Sequence, residues 1–108
     1  MALTSLTCTV ENKNSIRAVA EGDNQGQIHI DLYKDGALIE DDPSPSISSR
    51  TRVFTSLDYN TTYGISAWQR AIGGQIYELN DAVTTGTNYH HTITFINYGT
   101  GYTGHDID

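Results

Sequence analysis

The sequence predicts an all-β domain of two packed sheets, and three observations support that prediction. No stretch of about 12 residues repeats its apolar side chains with the period of a helix. Several short stretches instead alternate apolar and polar residues, as strands with one buried face do. The composition agrees, because seven tyrosines and ten glycines accompany only 18% charged residues. A chain of this kind favours strands joined by tight turns.

The length and the charge of the chain limit its organisation and its partners. A chain of 108 residues makes one domain, large enough to bury roughly 65% of its unfolded surface without metals or disulfides. The formal net charge is −7, and only six residues are lysine or arginine. Since nucleic acids and anionic membranes attract clustered basic residues, we expect neither as a partner.

The N-terminal segment and the single cysteine indicate where the chain is made. Residues 1–10 contain neither a basic region nor a continuous apolar stretch, so we expect no signal peptide. No window is long and apolar enough to span a membrane. Cys8 alternates with Leu6 and Val10, which predicts a buried core residue and no intrachain disulfide. We therefore expect synthesis in a cytoplasm.

Alternating residues predict three strands in the first third of the chain. Residues 3–10 alternate leucine, cysteine and valine with threonine and serine, as a strand with one buried face does. The turn-forming ENKN leads to a second strand at residues 15–20. After the polar loop EGDNQG, residues 27–34 show the clearest alternation of the chain, with isoleucine and leucine on one face.

A hairpin and a crossover follow these strands. Asp35-Gly36 predicts a tight turn, because both residues tolerate a positive φ, and residues 37–40 form the return strand. Residues 40–46, EDDPSPS, contain two prolines that lack amide donors, so we expect a solvated surface crossover. Its acidic run lacks the alternating oxygen spacing of a calcium loop. The next predicted strand covers residues 47–55.

Two more strands surround a glycine turn. Residues 57–71 lead from a loop into a strand with strict apolar alternation. Gly73-Gly74 turns the chain back, and residues 75–84 form the following strand. Trp68 lies on the face opposite to the alternating apolar residues, which predicts a position at the surface or beneath a neighbouring group.

A local motif precedes the sixth of these strands. Leu57 lies six residues before Tyr63, with Thr61 between them and Phe54 three positions before the leucine. This pattern resembles the tyrosine corner of fibronectin type III and immunoglobulin-like domains, although Tyr59 stands where that corner usually has a proline. The tyrosine of such a corner buries its ring while its hydroxyl bonds a backbone group upstream. The alternative is an ordinary half-buried strand tyrosine.

The resemblance implies a seven-stranded, immunoglobulin-like β-sandwich of the fibronectin type III kind for residues 1–87, with the family's strands A, B, C, C′, E, F and G. The second strand departs from the pattern, because it lacks the tryptophan that many fibronectin type III domains carry there. The alternation of strands and turns along the chain agrees with a sandwich.

Residues 88–108 remain as a C-terminal strand and arm for docking on a partner or on the domain itself. Residues 89–98 predict a strand with apolar groups on both faces, which a strand exposed on one side does not need. We expect this segment to be held by another chain, or alternatively by the edge of its own domain. The predicted partner-binding residues are Tyr89, Ile93, Phe95, Ile96, Tyr98 and Tyr102.

Aromatic residues suggest a second surface. Tyr33, Trp68 and Tyr77 are predicted on neighbouring strands, where they would share the outer face of one sheet. A flat aromatic face binds sugars or a protein partner, because rings bury a large area at little entropic cost. The alternative is cross-strand pairing that only stabilises the sheet.

No constellation of residues indicates catalysis, a cofactor or a metal. His90-His91 and His105-Asp106 are the only hints of a metal site, and adjacent histidines on a strand point to opposite faces. We expect these histidines to be solvated or hydrogen-bonded. The sequence has no Gly-x-Ser-x-Gly motif and no phosphate-binding glycine loop, so we expect a protein without enzymatic activity.

The architecture and chain design also resemble the immunoglobulin-like and fibronectin type III-like accessory proteins of tailed phage particles. Those proteins decorate or cement capsids, or build tail and collar structures. The resemblance implies a virion structural protein that is made in the host cytoplasm and docks on capsid or tail subunits, as a homo-oligomer or as part of a symmetric assembly. The alternative is a carbohydrate-binding or adhesion module that uses the aromatic face.

Overall fold

The computed structural model describes residues 3–23, 26–70 and 73–94, and within these ranges the protein consists of strands and connecting turns without a helix. The strands are β1 (Leu3–Asn12), β2 (Ser15–Gly22), β3 (Gln27–Lys34), β4 (Ala37–Glu40), β5 (Ser46–Ile47), β6 (Ser49–Phe54), β7 (Thr62–Arg70), β8 (Ile76–Thr84) and β9 (His90–Thr94).

The strands form two sheets, and all their pairings are antiparallel. The first sheet has the order β6-β2-β1-β9. The second has the order β4-β3-β7-β8, with the short β5 also paired to β3. The apolar faces of the two sheets pack against each other around one core. The prediction of an all-β chain with two packed antiparallel sheets is therefore confirmed.

The period-two alternation of the sequence fills the core between the sheets. Ile30 and Leu32 on β3 and Ile65 on β7 are buried from water, and each contributes about 1.5–3 kcal/mol through burial. Cys8 on β1 is buried as predicted. The other apolar core residues are Leu3, Leu6, Ile16, Ala18, Ala20, Ile28, Phe54, Leu57, Tyr63, Ala67, Leu79 and Val83.

The single strand predicted for residues 47–55 is wrong, because the chain changes sheets inside it. Ile47 in β5 pairs with β3 of the second sheet, whereas Ser49 in β6 pairs with β2 of the first. Ser48 separates the two strands with a φ of 74°, in the left-handed region that interrupts a ladder. Alternation alone does not reveal this break, since both short strands keep extended backbones.

The crossover predicted to be solvated contains a buried carboxylate, so that prediction is corrected at Asp42. The side chain of Asp42 is fully buried and occupies the gap that β4 and β5 leave along the edge of β3. Its Oδ2 accepts the backbone N–H of Ile30 at 2.9 Å. Its Oδ1 accepts the N–H of Ser44 at 3.0 Å. The prolines end the ladder as expected, and the aspartate replaces the missing strand contact.

The hairpin between β3 and β4 is confirmed. Asp35 has a φ of 53° and Gly36 a φ of 79°, so both central residues of the turn are left-handed. Such a turn matches the twist of the two strands. The hairpin places Tyr33 next to Leu38 of β4, where the outer face of the second sheet begins.

Candidate functional site

The outer face of β3, β7 and β8 collects polar and aromatic side chains around a shallow groove. Alternation places Asp31 and Tyr33 of β3 on this face, because Ile30 and Leu32 point into the core. Ser66 and Trp68 of β7 lie beside them, since Ser66 pairs directly with Asp31. Glu78 of β8 pairs with Trp68 from the other side. Two of the three residues predicted for an aromatic face, Tyr33 and Trp68, therefore share it.

Trp68 is fixed at both its ring face and its ring edge. The indole stacks on His29, with 3.9 Å between the ring centroids and 4° between the ring planes. The indole N–H donates to Oδ2 of Asp31 at 2.9 Å. Oδ1 of Asp31 in turn accepts the backbone N–H of Asp42 at 2.9 Å, and only 7% of Asp31 is exposed. The tryptophan is thus held in one orientation before any ligand arrives.

Two depressions adjoin on this face, with volumes of about 420 and 360 Å³. Tyr33, Ser66 and Glu78 line both, so the depressions form one continuous groove. Gly64 opens the floor beside Tyr33, because a Cβ at this position would lie 3.4 Å from Cβ of Tyr33. The larger depression also contains Asp35, Gly36, Ile65, Asn80 and Asp81, and the smaller contains Asp31, Trp68, Arg70 and Ile76.

Tyr77 lies on the opposite side of the sheet, so the predicted grouping of three aromatic residues is wrong for this member. Tyr77 pairs directly with Gln69, whose side chain is fully buried, and opposed residues of two strands share a face. The ring of Tyr77 packs against the core, and its hydroxyl donates to Oε1 of Gln75 at 2.9 Å. The β8 residue beside Trp68 is Glu78.

Oxygen acceptors determine the electrostatic character of the groove. Asp31, Asp35 and Glu78 line it, and Arg70 is the only basic residue among its lining residues within the described ranges. The hydroxyl of Ser66 donates to Oε2 of Glu78 at 3.0 Å, which fixes that carboxylate over the groove. A surface with this balance repels anions and accepts hydrogen bonds from hydroxyl or amino groups.

The residues predicted for the corner before β7 lie together. Leu57 is buried, and its backbone N–H donates to the carbonyl of Asn14 at 2.9 Å. The hydroxyl of Tyr63 accepts the backbone N–H of Asp58 at 2.8 Å, so its buried ring reaches a backbone group upstream. The hydroxyl of Thr61 donates to the carbonyl of Tyr59 at 3.0 Å. These bonds fix the turn between the two sheets.

Thr85 completes this corner and was not predicted from the sequence. Its side chain is fully buried, and its hydroxyl accepts the backbone N–H of Thr61 at 3.0 Å while donating to the carbonyl of Asp58. Its own backbone N–H donates to the carbonyl of Thr61 at 3.0 Å. A threonine at the end of a strand gives no distinct sequence signal, because only the fold brings residues 24 positions apart into contact.

The described part of the C-terminal segment packs on the protein's own sheet. β9 pairs with β1 over five residues, from Ser5 opposite Thr94 to Thr9 opposite His90. Tyr89 and Ile93 are half-buried and pack against the core. These two side chains thus contact the protein's own core, which is the alternative given for this segment, and their binding to a partner stays a prediction. The other predicted partner-binding residues, Phe95, Ile96, Tyr98 and Tyr102, lie outside the described residues.

A buried carboxylate holds the start of the C-terminal segment. The hydroxyl of Tyr89 lies 2.7 and 2.8 Å from the two oxygens of Asp81, to which it donates. Burial and this carboxylate raise the pKa of Tyr89 above its usual range. Burial, and next the charge of Asp81, also raise the pKa of the Cys8 thiol. The cysteine is therefore a protonated core residue and not a reactive thiolate.

The adjacent histidines do not form a metal site with the described residues. Nδ1 of His90 lies 2.8 Å from the hydroxyl of Thr9, and Nδ1 of His91 lies 3.7 Å from Oδ2 of Asp81. No three histidine, cysteine or acidic side chains within residues 3–23, 26–70 and 73–94 gather as a metal would require. His105 and Asp106 lie outside these ranges.

In the ranges that the structure describes, no helix has the length and apolar character needed to cross a bilayer. Comparisons of the chain with protein families, with curated proteins and with solved structures gave no match.

Proposed function

We propose that the chain is a non-enzymatic structural protein with an immunoglobulin-like fold of the fibronectin type III kind, acting as an accessory protein of a tailed phage virion. In this proposal it is a capsid decoration or cement protein, or another head or tail component. Its partners are capsid or tail subunits and further copies of itself.

The strand order supports the fold assignment. In the family's lettering, β1, β2 and β6 correspond to A, B and E, and β4, β3, β7 and β8 correspond to C′, C, F and G. The observed orders β6-β2-β1 and β4-β3-β7-β8 group these strands as E-B-A and C′-C-F-G. The hydrogen bond from the amide of Asp58 to the hydroxyl of Tyr63 adds the local feature of a tyrosine corner.

The single observation that carries the functional proposal is the position of β9. This strand extends the first sheet beyond β1, and it is the last strand of that sheet within the described residues. It contains no lysine or proline, and its pairing with β1 runs without a bulge. Natural edge strands use such features to prevent pairing with other chains. The outer edge of β9 is therefore suited to accept a strand from a neighbouring subunit.

Exposed apolar residues on the opposite side of the molecule support contacts with a second neighbour. β8 and β9 lie together on one side of the packed sheets, and β5 and β6 lie on the other. Leu38 and Ile39 of β4 are 51% and 48% exposed, and Ile47 and Val53 are each 53% exposed. Exposed apolar side chains on edge strands are available for contacts with a neighbouring subunit. Two binding sides allow a subunit to join an extended or closed assembly.

A truncation tests the docking role of the C-terminal segment. Removal of residues 88–108 would strip Tyr89 and Ile93 from the core, so the chain should be cut after Thr94 instead. The full chain is expected to co-sediment with purified particles of the phage that encodes it, and the chain 1–94 is expected to remain folded and unbound. A variant with residues 95–108 in scrambled order is the matched control.

The possible outcomes of this experiment separate the parts of the proposal. Binding of the full chain with loss in both altered chains supports sequence-specific docking by the C-terminal residues. Binding retained by the chain 1–94, which keeps the edge of β9, contradicts docking by residues 95–108 and leaves that edge as the docking surface of the proposed virion protein. No binding by the full chain contradicts the virion role itself.

A further inference from the structure

We propose that the groove on the outer face of β3, β7 and β8 binds a neutral saccharide. This ligand site is independent of the docking edge at β9, because it lies on the other sheet. Its central residues are Trp68, Tyr33, Ser66 and Glu78, and Tyr77 is not among them.

The indole of Trp68 supplies the apolar platform of this site. One face of the ring is covered by His29 on β3. Because β7 lies between β3 and β8, the other face is directed to the β8 side, where Ile76 and Glu78 line the smaller depression. The C–H face of a pyranose ring packs on such an aromatic surface. Since the indole is already fixed by Asp31, binding costs little side-chain entropy.

The polar residues suit the hydroxyl groups of a sugar. Glu78 presents a carboxylate fixed by Ser66, and Asn80 presents both a donor and an acceptor in the adjoining depression. Binding sites for small ligands typically combine an apolar surface with a few fixed polar groups of this kind. Because the two depressions are continuous through Tyr33, Ser66 and Glu78, a ligand of more than one sugar unit can occupy both.

The topology argues against an extended peptide in the same groove. Peptides that bind to sheets add as a strand to a free edge, where main-chain groups give most of the affinity. β7 is a central strand that pairs with β3 along one edge and with β8 along the other. A ligand above β7 therefore meets side chains and not free backbone groups. The carboxylates of the groove also disfavour acidic sugars and phosphates.

Trp68 is the only tryptophan of the chain, so intrinsic fluorescence reports directly on the site. The full chain is first applied to an array of neutral, acidic and amino-bearing glycans, and the strongest soluble glycan is then titrated while tryptophan emission is recorded. We expect binding to neutral glycans with a saturable change in emission. A blank array, binding to acidic glycans alone, or binding without a change in emission would each overturn the proposal.

Two variants distinguish specific binding in the groove from non-specific binding of sugar to the protein surface. Glu78→Gln keeps the shape of the side chain and removes its charge. We expect it to lower the affinity for the titrated glycan by about tenfold or more, as loss of a charge-assisted hydrogen bond does. Glu21→Gln makes the same change at an exposed residue of β2 in the other sheet and is the matched control, with unchanged affinity. Equal affinity of wild type and Glu78→Gln would contradict the assignment. Particle binding is expected to be unchanged in Glu78→Gln, which distinguishes this site from the docking edge.

Discussion

Arg50 of the first sheet and Asp42 at the edge of the second form a two-point ion pair across the domain. Nε of Arg50 lies 2.8 Å from Oδ2 of Asp42, and a terminal guanidinium nitrogen lies 2.6 Å from Oδ1. The Asp42 side chain is fully buried, whereas the Arg50 side chain is 19% exposed. The same aspartate bonds the backbone of β3 through Ile30. The pair therefore fastens the two sheets at the point where the edge strand is interrupted.

Replacement of Arg50 tests whether this ion pair stabilises the packing of the two sheets. Arg50→Met keeps much of the apolar stem but leaves the buried Asp42 carboxylate without its cation, which costs about 3 kcal/mol in comparable buried pairs. We expect a loss of this order in the free energy of unfolding, measured by urea denaturation. Arg17→Met is the control, because Arg17 pairs with Glu11 at the surface and should change stability by about 0.5 kcal/mol or less. Equal effects of the two substitutions would contradict the assigned role.

Acid should weaken the same contact in a defined pH range. Burial alone would raise the pKa of Asp42, but hydrogen bonds from Arg50, Ile30 and Ser44 outweigh it and lower the pKa from 3.8 to about 2. Because the folded-state pKa is the lower one, this stabilisation is complete above pH 3.8 and is lost as the pH falls towards about 2. It amounts to about 2 kcal/mol.

Comparison with Asp42→Asn separates the contribution of Asp42 to the pH dependence of stability from that of the other acidic groups. The stability difference between wild type and this variant is expected to shrink by about 2 kcal/mol between pH 5 and pH 2, as followed by urea denaturation at each pH. A difference that stays constant over this range would show that the carboxylate gains no stability from its charge.

The hydroxyl of Tyr63 should contribute to stability out of proportion to its size. Tyr63→Phe removes the acceptor of the Asp58 amide at a half-buried turn, which is expected to cost about 1–2 kcal/mol in thermal or urea unfolding. Tyr59→Phe removes a hydroxyl from a residue that is 60% exposed and should be nearly neutral. If Tyr63→Phe proves as neutral as this control, the hydrogen bond at the corner has no stabilising role.

Close approach of two backbone segments makes Gly26 intolerant of a side chain. A Cβ at this position would lie 2.2 Å from the carbonyl oxygen of Arg70, so the loop before β3 would have to move. We expect Gly26→Ala to destabilise the protein by about 1–3 kcal/mol. Gly73→Ala is the matched control, since an added Cβ there meets nothing within 4 Å. Similar stability of the two variants would contradict the close approach.

Strand positions were predictable because one buried face forces alternation in sequence, as in β3 and β7. The hairpin at Asp35-Gly36 was predictable because few residues accept its left-handed backbone. The ion pair of Asp42 could not be predicted, since an acidic, proline-containing segment has the composition of a solvated loop. Only the interruption of the edge strand, with Arg50 of the other sheet nearby, makes burial of that carboxylate favourable.

The residues of the groove were predicted in part, because the sequence does not show which residues of neighbouring strands lie opposite each other. Tyr33 and Trp68 share a face because Gly64 and Ser66 pair with Tyr33 and Asp31. Tyr77 was misplaced because it pairs with Gln69, a polar residue that the fold buries completely. A shift of one residue in strand pairing exchanges the two faces of a strand. The sequence of β8 does not decide between the two faces, because each face carries both apolar and polar residues.

The most direct test of the proposed virion role is peptide mass spectrometry of density-purified phage particles from the source that encodes the chain, with copy number measured against the major capsid protein. The proposal predicts that the protein is present. Hundreds of copies would identify a capsid decoration or cement protein, and a few dozen or fewer would identify a portal, collar, tail or fibre component. Absence from the particles would contradict the virion role and leave the saccharide groove around Trp68 as the remaining basis for function.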